Sequence, residues 1–184
     1  MATVAAAAAA CTTPTRNATE KGPGKMPSTT SNASARMPVI FVGHGSPMNA
    51  IEENRFSAGF AALGAALPKP KAVLAVSAHW YLPGTFTTGN ERPQTIHDFG
   101  GFPRALYEVQ YPAPGDPALA ARVARSVGQD ATTRDDWGLD HGTWSVLRHM
   151  LPDADVPVVQ LSLDHRLSLS DHLALGERLS SLRD

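Results

Sequence analysis

Two histidines of this chain occupy matched positions. His44 follows the apolar run Pro38-Val-Ile-Phe-Val-Gly43, and His79 follows Ala72-Val-Leu-Ala-Val76. Each run has the length and composition of a buried strand. The two histidines stand 35 residues apart with a helical pattern between them. That is the size of a βαβ unit, whose two strands run parallel. Both side chains are then expected at the carboxyl edge of one sheet, where ligands of open α/β sheets bind. Neighbouring strands lie about 4.8 Å apart, so two imidazoles there can meet at one metal ion. Gly43 and Gly45 are expected to permit the turn that aims His44 into the crevice. A histidine in a Gly-His-Gly turn also has a plainer use, bonding nearby backbone.

His141 is the third candidate, in Asp140-His-Gly-Thr-Trp144 at the start of a helical pattern. Beside Asp140 it suits an acid, a base or a donor to a substrate oxygen. Equally open is a structural role, with Asp140 capping the helix and His141 packing nearby. His97 lies in a loop, where substrate contact and simple exposure are both open. His165 follows the apolar run Val156–Leu163 and could reach the same sheet edge. His149 and His172 read as helix-surface residues. Hydrolase chemistry fits poorly. Gly43 stands where a histidine phosphatase needs arginine, and no G-x-S-x-G elbow surrounds Ser46.

The elements that would position these residues follow from periodicity. Residues 52–67 predict a helix, with Phe56, Phe60, Leu63 and Leu67 on one face and Pro68 and Pro70 ending it. Residues 85–89 predict a short, more exposed strand, and 129–134 another. Helices are expected over 117–127, with proline at the start, over 142–151, and over 168–182, capped by Ser168. Between them, residues 93–114 form a loop rich in glycine, proline and aromatics, the composition of a lid or a wall. Strands alternating with helices predict an α/β domain with a largely parallel central sheet flanked by helices. The last helix is expected to feed a further strand, so the C-terminal part of the domain is expected to be missing.

Residues 1–36 contain an alanine run, then mostly Thr, Ser, Pro, Gly, Asn and Lys. With almost no large apolar groups they are expected to be a disordered extension that adds nothing to the core. Sixteen basic residues against 17 acidic ones give no electrostatic reason to expect nucleic acid or an anionic membrane as partner. No apolar run approaches the roughly 20 residues needed to span a bilayer. Cys11 is the sole cysteine. It rules out an internal disulfide framework and fits a reducing compartment, the cytoplasm.

Six motifs occur in order: Gly43-His-Gly-Ser-Pro-Met-Asn49, Ser77-Ala-His-Trp80, Thr95-Ile-His-Asp-Phe-Gly-Gly-Phe-Pro103, Tyr111-Pro-Ala-Pro-Gly115, Gly138-Leu-Asp-His-Gly-Thr-Trp144 and Val159-Gln-Leu-Ser162. Together they resemble the 4,5-DOPA extradiol dioxygenase family, within the superfamily of protocatechuate 4,5-dioxygenase catalytic subunits. The resemblance covers residues 37–184, read as the N-terminal portion of the catalytic domain. It implies a mononuclear non-haem metal site, holding Fe(II) in active dioxygenases and zinc in some relatives. His44 and His79 match two family metal ligands, and His141 matches an active-site histidine beside the substrate. The implied reaction opens a catechol such as DOPA with molecular oxygen, with Phe99, Phe102 and Trp80 as aromatics that could flank the ring, or that simply pack. Family members carry further ligand histidines downstream of position 184. The second expectation is therefore an inactive fragment, or a non-catalytic binding relative on the same fold.

Overall fold

The computed structural model describes residues 36–128 and 131–184, which belong to a unit beginning at Ser34. Its sheet consists of β1 (Val73–Leu82), β2 (Phe86–Thr88), β3 (Thr132–Arg134) and β4 (Val158–Asp164), in the order β1-β4-β2-β3. β1 pairs with β4 in parallel, as does β2 with β3, whereas β2 meets β4 antiparallel. The α/β architecture is the expected one, and the sheet is mixed. The extension expected over residues 1–36 lies outside the described residues, apart from Arg36. That residue is not idle: its guanidinium donates to the Ser180 carbonyl and pairs with Asp184.

The helices form where caps and periodicity place them. α1 (Arg55–Ala66) starts at a reciprocal cap between Asn54 and Ser57. α3 (Pro117–Val127) has Asp116 as its cap and proline in its first turn. α4 (His141–Met150) is capped by Asp140, and α5 (Leu169–Arg178) by Ser168 with Asp171 returning the bond. A four-residue helix, α2 (Arg104–Tyr107), and a 3-10 turn at Pro47–Ala50 were not visible as periodic patterns because each is too short to show a period. α1 lies against α4 so closely that a Cβ on Gly64 would come within 2.2 Å of the Met150 carbonyl oxygen.

Three expectations are corrected. Residues 38–43 do not form a strand. They carry no regular secondary structure, with Phe41 fully exposed and Val39 77% exposed, and Met37 N–H bonds the Arg183 carbonyl instead. An apolar run signals burial, but a strand also needs a neighbour to complete its ladder, and none of the described residues supplies one. The second apolar strand does not stop at Val76. Pairing breaks after Val76 and resumes at Tyr81, so four residues of β1, 77–80, stand opposite one of β4, Ser162. Such a bulge re-aims side chains, and it contains Ser77, His79 and Trp80. Finally, β2 is an interior strand rather than an exposed one: Thr87 and Thr88 are buried between β4 and β3.

The main core lies under α4 and the 93–114 loop, around Leu106, Tyr111, Leu139, Trp144 and Val158. A smaller cluster of Val123, Val127 and Leu161 joins α3 to β4. Trp144 ties core to loop, since its indole N–H donates to the Ile96 carbonyl at 2.8 Å. Among the described residues no helix is long and apolar enough to cross a membrane.

Candidate metal centre

Three imidazoles from three separate elements meet at one place. His44 comes from the irregular segment before Pro47, His79 from the bulge of β1, and His141 from the first turn of α4. One ring nitrogen of each lies within 4.8 Å of the others. His44 Nε2 and His79 Nε2 are 2.9 Å apart, and the His79 and His141 ring centres are 4.0 Å apart.

Each histidine is held by a different device. His44 hangs on backbone: Asn49 Nδ2 donates to the His44 carbonyl at 2.9 Å, and Asn54 in turn holds Asn49. Gly45 makes the turn with φ +68°, a conformation that L side chains avoid. Gly43 has no such conformation and no close neighbour, so only one of the two glycines meets the expected need. His79 and His141 are held by a buried polar network. Asp140, fully buried, accepts from Ser77 Oγ at 2.7 Å, from Gln160 Nε2, and from Thr143 N–H as the helix cap. Gln160 of β4 also accepts from Thr143 Oγ1 at 2.8 Å. β1, β4 and α4 are thereby tied together beneath the site. A Cβ on Gly142 would lie 2.6 Å from His79 Cδ2, so glycine lets the helix approach the His79 ring.

Asp140 is thus the helix cap and network hub. The carboxylate that faces His141 is Asp98, from the aromatic loop. Asp98 Oδ1 lies 2.9 Å from His141 Nδ1 and accepts the His141 backbone N–H at 2.9 Å, while Oδ2 is 4.0 Å from His79 Nδ1. The ring contact is close but off the line of an aligned hydrogen bond. In the sequence Asp98 is a loop carboxylate with nothing nearby to mark it as part of a site. Its only signal was a carboxylate one residue after His97 in a long loop, and the partner lies 43 positions away.

The charges suit a cation. Burial, followed by the neighbouring His141 and His79, lowers the His44 pKa and favours its neutral, ligand-competent ring. Burial opposes ionisation of Asp98, but its contacts with the His141 ring and backbone outweigh that and hold the carboxyl below its usual value. Burial pushes the Asp140 carboxyl up. Two imidazole nitrogens sharing one ion at about 2.0–2.1 Å would sit about 3.3 Å apart in a tetrahedral arrangement. The observed 2.9 Å needs an opening of a few tenths of an ångström. A set of imidazole nitrogens with one nearby carboxylate fits zinc or iron far better than calcium or magnesium, which take oxygen ligands.

The remaining histidines are elsewhere. His97 bonds the Val109 carbonyl and packs against Phe99 and Trp144. His149, partly buried rather than on the surface, bonds the Asn49 carbonyl. His172 bonds the Ser168 carbonyl within its helix. His165 packs edge-on against Tyr81 and is not part of the three-imidazole group. Of the aromatics, Phe99 stands edge-on to His141 at 5.4 Å and touches Phe102. Trp80 is a packing residue, 3% exposed and stacked on Trp137.

Residues 38–184 match the family of the catalytic LigB subunit of aromatic ring-opening dioxygenase. The chain is 51% identical over 154 residues to a 4,5-DOPA dioxygenase extradiol of Escherichia coli K12, covering 83% of this chain and 57% of that protein. It is 40% identical over 152 residues to the protein of the same name from Beta vulgaris, covering 79% and 57%. Among solved structures, an uncharacterized protein of Escherichia coli K12 superposes with a TM-score of 0.67 at 43% identity, over 81% of this chain and 56% of that one. The chain spans a little over half the length of these relatives. With four-fifths of the residues matched by one family and the fold shared, the chain belongs to the LigB family of aromatic ring-opening dioxygenases.

Proposed function

We propose that this chain carries the metal centre of an extradiol dioxygenase that opens the ring of a catechol such as DOPA with molecular oxygen. Residues 37–184 would form a portion of the catalytic domain. The observation that carries the reading is the meeting of His44, His79 and His141 within 4.8 Å. His44 and His79 are the metal ligands in this reading, and Fe(II) is the working ion, with zinc as an alternative occupant. Held there by His44 and His79, Fe(II) would supply the Lewis acidity and redox chemistry that ring opening with O2 requires.

The chain's own residues do the rest. His141 takes a proton from a catechol hydroxyl and later returns one to a departing oxygen, the work of a general acid–base imidazole. Its side chain is only 6% exposed, which keeps water from competing for that proton. Phe99 offers an apolar edge against which a flat ring can lie. A reducing compartment, the cytoplasm, would keep the iron ferrous.

The test is oxygen consumption with L-DOPA or protocatechuate by protein purified anaerobically and supplied with Fe(II). Ring opening, with loss of turnover in His44→Ala through lost metal and in His141→Ala with metal retained, supports the reading. Iron-loaded protein that consumes no oxygen with either catechol contradicts it.

A further inference from the structure

Asp98 stands where one carboxylate can serve two rings. Its two oxygens face the Nδ1 atoms of His141 and His79, at 2.9 and 4.0 Å. His79 meanwhile turns its Nε2 to His44. The loop that carries Asp98 is fixed in place: Ile96 N–H bonds the Leu139 carbonyl, Leu139 N–H bonds the Gln94 carbonyl, both at 2.8 Å, and the Trp144 indole holds Ile96. A Cβ on Gly138 would come within 2.1 Å of the Gln94 carbonyl oxygen, so the two segments of this contact are pressed together. The carboxylate is itself largely covered, 17% exposed.

We propose that Asp98 is a positioning residue: at 2.9 Å it orients the His141 ring, and its charge, 4.0 Å from His79 Nδ1 and beyond hydrogen-bond reach, favours the Nδ1–H tautomer there, leaving both Nε2 lone pairs toward the shared centre. The reason is tautomeric. A neutral imidazole carries one proton, and a carboxylate can only accept, so the proton is drawn to the nitrogen that faces it. The opposite nitrogen is then left as a lone pair, the form that binds a metal or takes a proton from substrate. An outer carboxylate also makes a ligating imidazole more basic, and losing such a partner costs roughly 10- to 100-fold in metal affinity. The proposal rests on the metal-centre reading for its consequence but not for its geometry.

Two measurements separate the two. In metal-free protein, 15N imidazole shifts of wild type are expected to show His141 and His79 with Nε2 unprotonated. In Asp98→Asn, which keeps the size and can still accept the His141 backbone N–H, the shifts should move to a tautomer mixture. Titration with Zn(II) alone should then give a dissociation constant raised roughly 10- to 100-fold over wild type. Asp98→Ala should show both effects, and Asp98→Asn remains readable if the alanine variant fails to fold. An Asp98→Asn protein with unchanged shifts and zinc affinity within twofold of wild type overturns the proposal. If wild type takes up no zinc, the metal-centre reading fails, while the shifts alone still decide the role of Asp98.

Discussion

The two sides of the histidine cluster are supported in opposite ways. His141 and His79 stand on a buried floor, where Asp140, Ser77, Gln160 and Thr143 satisfy one another across β1, β4 and α4. His44 is delivered by an irregular segment whose Val39 and Phe41 are exposed, and it is fixed by Asn49 and the Gly45 turn. A satisfied buried network fixes the backbone that carries the two rings and resists change. A segment tied at its ends, by Met37 to Arg183 and by the Asn49 amide to His44, can shift between them without disturbing the core. The contrast suggests that the floor determines whether the protein folds, and the His44 side whether the centre closes around an ion.

Trp144→Ala should give the largest effect, because it empties a fully buried site on the floor side and frees the Ile96 carbonyl. A loss of about 3–5 kcal/mol in chemical denaturation is expected. A loss below about 1 kcal/mol would show that the floor is not the stabilising side. Asn49→Ala should act differently. It removes the amide that holds His44, so zinc affinity should drop several-fold, while stability falls by about 1 kcal/mol. An equal affinity in calorimetric titration would mean that the Gly45 turn alone sets His44.

Tyr111 offers a pH test of the floor. Its hydroxyl donates to the Leu151 carbonyl, and burial pushes its pKa up to about 12. The unfolded chain would ionise near 10, so the folded state holds this proton more tightly. The stability it contributes is present in full below pH 10 and is lost as pH rises from 10 to about 12. Tyr111→Phe should therefore be slightly less stable at pH 7 and should show a shallower fall in melting temperature over that alkaline window. Phe41→Ser should give the smallest effect, within about 0.5 kcal/mol, because the ring is fully exposed. A large loss of stability there would show that residues 38–43 are buried in solution and would erase the contrast.

Much of this was legible from sequence. The helices expected over 52–67, 117–127, 142–151 and 168–182 are found at 55–66, 117–127, 141–150 and 169–178, because apolar spacing, prolines and the Asp140 and Ser168 caps are signals that lie within a few residues of each other. The histidines of interest could be named because their motifs are local and their family is recognisable. The route by which they meet was not readable. The βαβ inference required a strand at 38–43, and the rings converge without one, through a bulge in β1 and a turn at Gly45. A bulge leaves no periodic trace in Ser77-Ala-His-Trp80, since it is decided by the partner strand. Asp98 was missed for the same reason: a loop carboxylate acquires meaning only from what tertiary packing sets opposite it.

The most direct test of the centre is titration of metal-free protein with Co(II), followed by visible absorption. The account predicts uptake of one ion per chain with a nitrogen-ligand spectrum, and its loss in both His44→Ala and His79→Ala while each variant stays folded. Undiminished uptake with the same spectrum in the His44→Ala/His79→Ala double variant would contradict it.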